Sequence, residues 1–299
     1  MEERIMKKRT PPKLVLRTLL VLFAFGMLAA CERRSSTTPP NGPTNQATQP
    51  SQSNQRDLDK GALKLDYRPR KSNKSGSVIA NDPQVLGQIV ANLNEKIALP
   101  WDLTISFDDC EEPDAHYDPE TRSVTICYQL IDEYNDLFSR KIKDKTKLDN
   151  AVRGALASTF FHELGHGLVD AWKLPITGRE EDAVDQLSTL VLINHTNNGE
   201  PMALDGAVSF RLYADLEKGQ AKIYWDEHSL DEQRFYDTIC LIYGHAPEKY
   251  SYLVKDGTLP AERAELCRED YPKIAASWSK LLSPYLKLQG QSTAVSPAP

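Results

Sequence analysis

The chain has 299 residues, with 36 lysines and arginines against 42 aspartates and glutamates and a formal net charge of −6. An acidic balance argues against nucleic acid as the expected partner. No internal repeat is visible, so repeat architectures are excluded as well.

The N-terminus places Arg4, Lys7, Lys8, Arg9, Lys13 and Arg17 ahead of an apolar run over 19–30. A basic segment followed by about a dozen apolar residues reads as an export signal, too short and wrongly flanked for a spanning helix. Its end, Leu28-Ala29-Ala30-Cys31, resembles the lipobox of bacterial lipoproteins. That resemblance implies that residues 1–30 are a signal peptide and that Cys31 is lipidated, with palmitate among its acyl chains. The expected location is the periplasmic or outer face of a membrane, to which the lipid on Cys31 attaches the protein. Removing residues 1–30 takes away six basic and two acidic residues, leaving 30 against 40 and a net charge of −10.

Residues 31–75 are rich in Ser, Thr, Pro, Gln and Asn and poor in large apolar side chains, which predicts a disordered tether. From 76 to 288 the composition is globular and long enough to bury a full core as one domain, and 289–299 reads as a disordered tail. A helix opens at Asp82-Pro83, with Val85, Leu86, Ile89, Val90, Leu93 and Ile97 at helical spacing, and closes at Pro100. Residues 103–107 and 123–127 alternate as strands around a polar loop. Helices follow over 129–141, 148–172 and about 179–194, and the remainder to 288 is helical in pattern. The expected class is α+β, a small sheet packed on one long helix followed by a mostly helical half.

Four cysteines remain beyond Cys31, and an exported chain with an even number favours two disulfides. Of the three pairings, the local ones, Cys110 with Cys127 and Cys240 with Cys267, are expected because each joins neighbouring elements.

The stretch FFHELGHGLVD, residues 160–170, sets His162 and His166 one helical turn apart on one face, with Glu163 on the adjacent flank. Two imidazoles so placed can grip one cation. Zinc suits nitrogen and oxygen donors and leaves a position for water, and Glu163 beside it would act as general base. The third ligand is expected from Glu180-Glu181-Asp182. Glu181 and Asp185 share a helix face, so Glu181 is assigned to the metal and Asp185 to the outer nitrogen of a ligating imidazole. Asp182 is the rival, and Glu180 reads as an outward-facing residue at the helix start. Gly165 and Gly167, costly inside a helix, suggest that a neighbour approaches closely. Tyr243 and His245 are candidates for stabilising the transition state, with Tyr224 and His228 behind them. His116 and His195 read as ordinary loop residues.

These residues resemble a bacterial metallopeptidase family catalogued as domain of unknown function 4344, through HYDPETRSVTICYQL, FFHELGHGLVDAWKLPITGREEDAVDQ, CLIYGHAPEKY and LPAERAELCREDYPKIAASW. The resemblance covers about residues 80–288. It implies a zincin-like fold and a metal-dependent hydrolase; with zinc at the two histidines, the expected function is hydrolysis of peptide bonds in peptides or proteins. The competing expectation is a lipoprotein scaffold that holds a metal and hydrolyses nothing.

Overall fold

The computed structural model describes residues 58–70 and 83–287, the side chains of Pro83 and Val85 excepted. The segments expected to be a signal peptide (1–30) and a tail (289–299) lie outside the described residues, as do Cys31 and most of the expected tether.

Four strands form one sheet in the order β1-β2-β4-β3. β1 (Leu63–Tyr67), β2 (Leu103–Asp108) and β4 (Ser123–Cys127) run parallel, and β3 (Ala115–Asp118) is antiparallel to β4 at an edge. Period-two alternation buries Leu103, Ile105 and Phe107 as the floor on which helices pack. Helix α1 (Pro83–Asn94) connects β1 to β2. Its last residue grips β1: the Leu63 amide donates to Asn94 Oδ1 at 2.8 Å, and Asn94 Nδ2 donates back to the Leu63 carbonyl at 2.9 Å.

Two strands depart from expectation. β1 falls inside the segment read as tether, because the alternation of Leu63, Leu65 and Tyr67 is short and set in polar sequence. β3 lies within the loop between the two expected strands, where only four residues pair. The disulfide Cys110–Cys127 closes that loop as expected, and Cys240–Cys267 also forms.

The helical remainder comprises α2 (Tyr128–Ser139), α3 (Lys145–Trp172), α4 (Glu180–His195), α5 (Gly199–Leu216), α6 (Asp231–His245), α7 (Tyr252–Lys255) and α8 (Ala261–Leu282). The class is therefore α+β, as the sequence predicts. Asp144 caps α3 by accepting from the Lys147 amide at 2.9 Å. The helix ends where Lys173 turns left-handed at φ 50°, and Pro175 follows two residues on. There Trp172 stacks on Tyr285, ring centroids 4.6 Å apart, and donates from its indole to the Ala98 carbonyl at 2.9 Å. The C-terminal turn thus seals the far end of the long helix.

The seam between α3 and α4 is narrow. A Cβ on Gly165 would stand 3.0 Å from Val184 Cβ, which accounts for a glycine in mid-helix, and the Ser188 hydroxyl donates to the Ser158 carbonyl at 2.7 Å. Disulfide Cys240–Cys267 joins α6 to α8. Among the described residues no helix is long and apolar enough to cross a membrane.

Asp205 on α5 faces Gly154 of α3, and burial, with no hydrogen bond or ion pair to a described residue, pushes its carboxyl up to about 7. An acid whose folded pKa lies above its unfolded value costs stability once the unfolded chain ionises, and this cost grows from about pH 4 to a plateau above about pH 7. Asp205→Asn should therefore melt higher than wild type at about pH 8, and the two should converge near pH 4. Thermal denaturation of metal-stripped protein at both pH values checks this; an equal gap at both would refute it.

Candidate metal centre

α3 and α4 meet where their polar faces oppose each other. His162 and His166 project from α3 with their Nε2 atoms 3.3 Å apart. Glu181, in the first turn of α4, lies between them, Oε2 at 3.1 Å from His162 Nε2 and Oε1 at 3.3 Å from His166 Nε2. Each ring is held from behind: His162 Nδ1 lies 2.8 Å or less from a carboxylate, at 2.7 Å from Asp185 Oδ1, and His166 Nδ1 is 2.8 Å from Glu180 Oε1. A Nδ1–H donated to a carboxylate leaves the Nε2 lone pair for a cation and fixes the ring plane. Asp185, expected from the sequence to back a ligating imidazole, lies beside the outer nitrogen of His162. Glu180, read as outward-facing, instead backs the second imidazole.

The rival carboxylate is accounted for too. Asp182 Oδ1 accepts from the Ser229 hydroxyl at 2.6 Å, which turns it toward the loop before α6. The same loop is tied to the start of α4, where Arg179 Nη1 donates to the His228 carbonyl at 3.3 Å. These bonds bring the His228 Nε2 to 3.0 Å from Glu181 Oε2, and its ring lies nearly parallel to that of His162 with centroids 6.2 Å apart. The ligand atoms of His162, Glu181 and His228 all lie within 4.8 Å of one another.

Arg234, from α6, completes the support. Its Nε and Nη2 donate to the two oxygens of Asp185 at 2.7 and 2.9 Å, and its guanidinium lies 4.1 Å over the Phe210 ring. Removing one partner of a buried ion pair leaves the other uncompensated, so Arg234→Met should lower folding stability by about 3 kcal/mol. Denaturant titration reads the loss; an unchanged midpoint would refute it.

Electrostatics follows from this crowding. Burial disfavours the charged His162, yet the Asp185 and Glu181 carboxylates outweigh it and raise the imidazole to about 9. Burial likewise opposes ionisation of Glu181, but His162, His166 and His228 hold it far below the usual carboxylate range. Asp185 is depressed by Arg234 and His162 against the same penalty. Metal binding needs neutral imidazoles and ionised carboxylates. The groups that share protons here are those whose protons a divalent cation displaces, so the donor set fits such an ion.

Glu163 differs from its neighbours. It is 8% exposed, its Oε1 lies 4.0 Å from His162 Nε2, and burial raises its carboxyl above the ordinary value. Two adjoining cavities, of about 310 and 790 Å³, share His162, Glu163, His228 and the start of edge strand β3. His116, read as an ordinary loop residue, belongs to β3 and lines the larger one.

Tyr243 and His245 do not belong to this site. Tyr243 is 4% exposed and accepts from Arg268 at 3.0 Å, while His245 contacts Tyr271 and Glu200. The face of α6 that carries them is directed to α8 and α5, and neither residue lines the two cavities. Tyr224 is 72% exposed, so of the four candidates only His228 reaches the donors. Sequence reasoning had no means to raise it above the others, because loop bonds and not periodicity place it.

Two histidines one turn apart, a carboxylate from the next helix between them and a buried glutamate facing the shared cavity define a candidate metal centre. The family described as “Putative metallopeptidase” matches residues 67–282, and the chain belongs to that family. No curated protein and no solved structure matches it.

Proposed function

We propose that the protein is a zinc-dependent, zincin-like peptidase, exported and attached to a membrane through lipid on Cys31. The observation that carries the reading is Glu163, which faces a cleft bounded on one side by the imidazole and carboxylate donors and on the other by edge strand β3. His162, His166 and Glu181 would hold the ion, each ring backed by a carboxylate. Zinc supplies, when bound, a Lewis acid that brings the pKa of water to about 7.

The chain's own residues supply the rest. An extended peptide can add to the edge of β3 by main-chain hydrogen bonds, which lays its scissile carbonyl across the cleft. Glu163 removes a proton from the attacking water at its carboxylate and passes it to the leaving amine. His228, made more basic by the Glu181 carboxylate 3.0 Å from its Nε2, is placed to donate to the carbonyl oxygen as charge develops. Export and anchorage rest on the basic segment, the apolar run over 19–30 and the Leu28-Ala29-Ala30-Cys31 sequence.

One observation favours a second reading. His228 Nε2 is as near to Glu181 as His162 is, and four protein ligands would close the site, as in structural zinc centres. Metal analysis of the purified full chain, with a peptide-library cleavage assay before and after chelation, separates the two. One zinc per chain with cleavage lost to chelator and restored by zinc supports the peptidase. Tightly bound zinc without cleavage supports the scaffold.

A further inference from the structure

A third cavity, of about 560 Å³, lies over the opposite half of the sheet and shares no residue with the cleft at Glu163. Its floor includes Leu65, Ile105 and Phe107, with walls from α1 and from the stretch of α3 that precedes the histidines. Leu65, Ile89, Leu93, Phe160 and Met202 line it while staying half-buried. This is apolar surface left open in a concave groove, within the roughly 300 to 1,000 Å³ range of small-molecule sites.

Its charge is opposite to that of the chain. Among the described residues no aspartate or glutamate lines it, although acids outnumber bases 42 to 36 overall. The titratable groups present are Arg153, Lys96 and His195, the last two exposed. Arg153 Nε is buried and has no hydrogen-bond partner, and no ion pair joins its guanidinium to a described residue. Arg153 as a whole is half-buried, and a guanidinium is always charged, so leaving its buried Nε–H without an acceptor is costly. A carboxylate would satisfy it, with two parallel hydrogen bonds to its fork.

We propose that this groove binds a long-chain carboxylate, a fatty acid in chemical class, with its head on Arg153 and its alkyl chain along the sheet floor. Lys96 and His195 add positive potential, and the absence of acids disfavours a cationic amphiphile. The site is independent of the metal centre and does not require that centre to be catalytic.

The test is fluorescence titration of the full chain with dansyl-undecanoate, followed by displacement with dodecanoate, dodecanol and dodecyltrimethylammonium. Saturable binding at one site per chain is expected, with dodecanoate displacing at least about tenfold better than either uncharged or cationic analogue. Arg153→Met should abolish that preference. Ala157→Trp and Leu93→Trp, which fill the groove from opposite walls, should abolish binding while leaving metal content and melting temperature near wild type. Absence of saturable binding by folded wild-type protein would overturn the proposal. So would binding indifferent to head-group charge and to Arg153→Met.

Discussion

Glu163→Gln is expected to reduce peptide hydrolysis by roughly a hundred- to ten-thousand-fold, the range attributable to a positioned general acid–base group. The substitution keeps the size of the side chain and removes its ability to take a proton. No hydrogen bond holds the Glu163 carboxylate to a described residue, so its loss should disturb neither the fold nor the imidazoles beside it. Metal content and melting temperature of the variant should match wild type, which distinguishes lost chemistry from lost structure. Near-wild-type turnover in a metal-loaded Glu163→Gln protein would remove Glu163 from the mechanism.

The second large effect concerns the carboxylate between the histidines. Glu181→Ala removes the group that contacts His162, His166 and His228 at once, and stoichiometric zinc binding should disappear. Asp185→Ala acts one step removed: it frees the His162 ring and leaves Arg234 unpaired, so affinity should fall by about 10- to 100-fold and stability with it. Asp182→Ala should leave zinc bound, because Asp182 is engaged by Ser229. Equilibrium dialysis of the three variants against a zinc buffer reads all of this together. Tight zinc in Glu181→Ala with loss in Asp182→Ala would show that the wrong carboxylate has been assigned.

Much of this arrangement is legible in the sequence, for a definite reason. His162 to His166 and Glu181 to Asp185 are four-residue spacings on helices, and helical periodicity converts spacing into a shared face. Both disulfides join elements that are near in sequence, which made the local pairing readable. What escaped depends on contacts with no period. β1 carries three alternating apolar residues in a polar segment, and β3 pairs for only four. His228 reaches the donors because Arg179 and Ser229 fasten its loop to α4. Tyr243 and His245 failed for the complementary reason: their residue types suited the role, but packing of α6 against its neighbours turned them away. Glu180 looked like a residue at a helix start and became a hydrogen-bond partner only once α3 lay beside it.

The placement of the donors on two consecutive helices predicts that they come together early in folding. His162, His166, Glu181 and Asp185 are joined by one short connection, so bringing them together costs little loop-closure entropy, and the narrow contact at Gly165 and Val184 is made by the same pair of helices. Arg234 and His228 arrive only after the chain has passed through α5 and the loop beyond it. A two-helix hairpin could therefore hold the proposed ion before the rest of the helical half has docked. Since a ligand that binds structured chain and not unstructured chain shifts the balance toward structure, zinc added at the start of refolding should speed recovery of the native state, whereas zinc added at the end should only stabilise what has already formed.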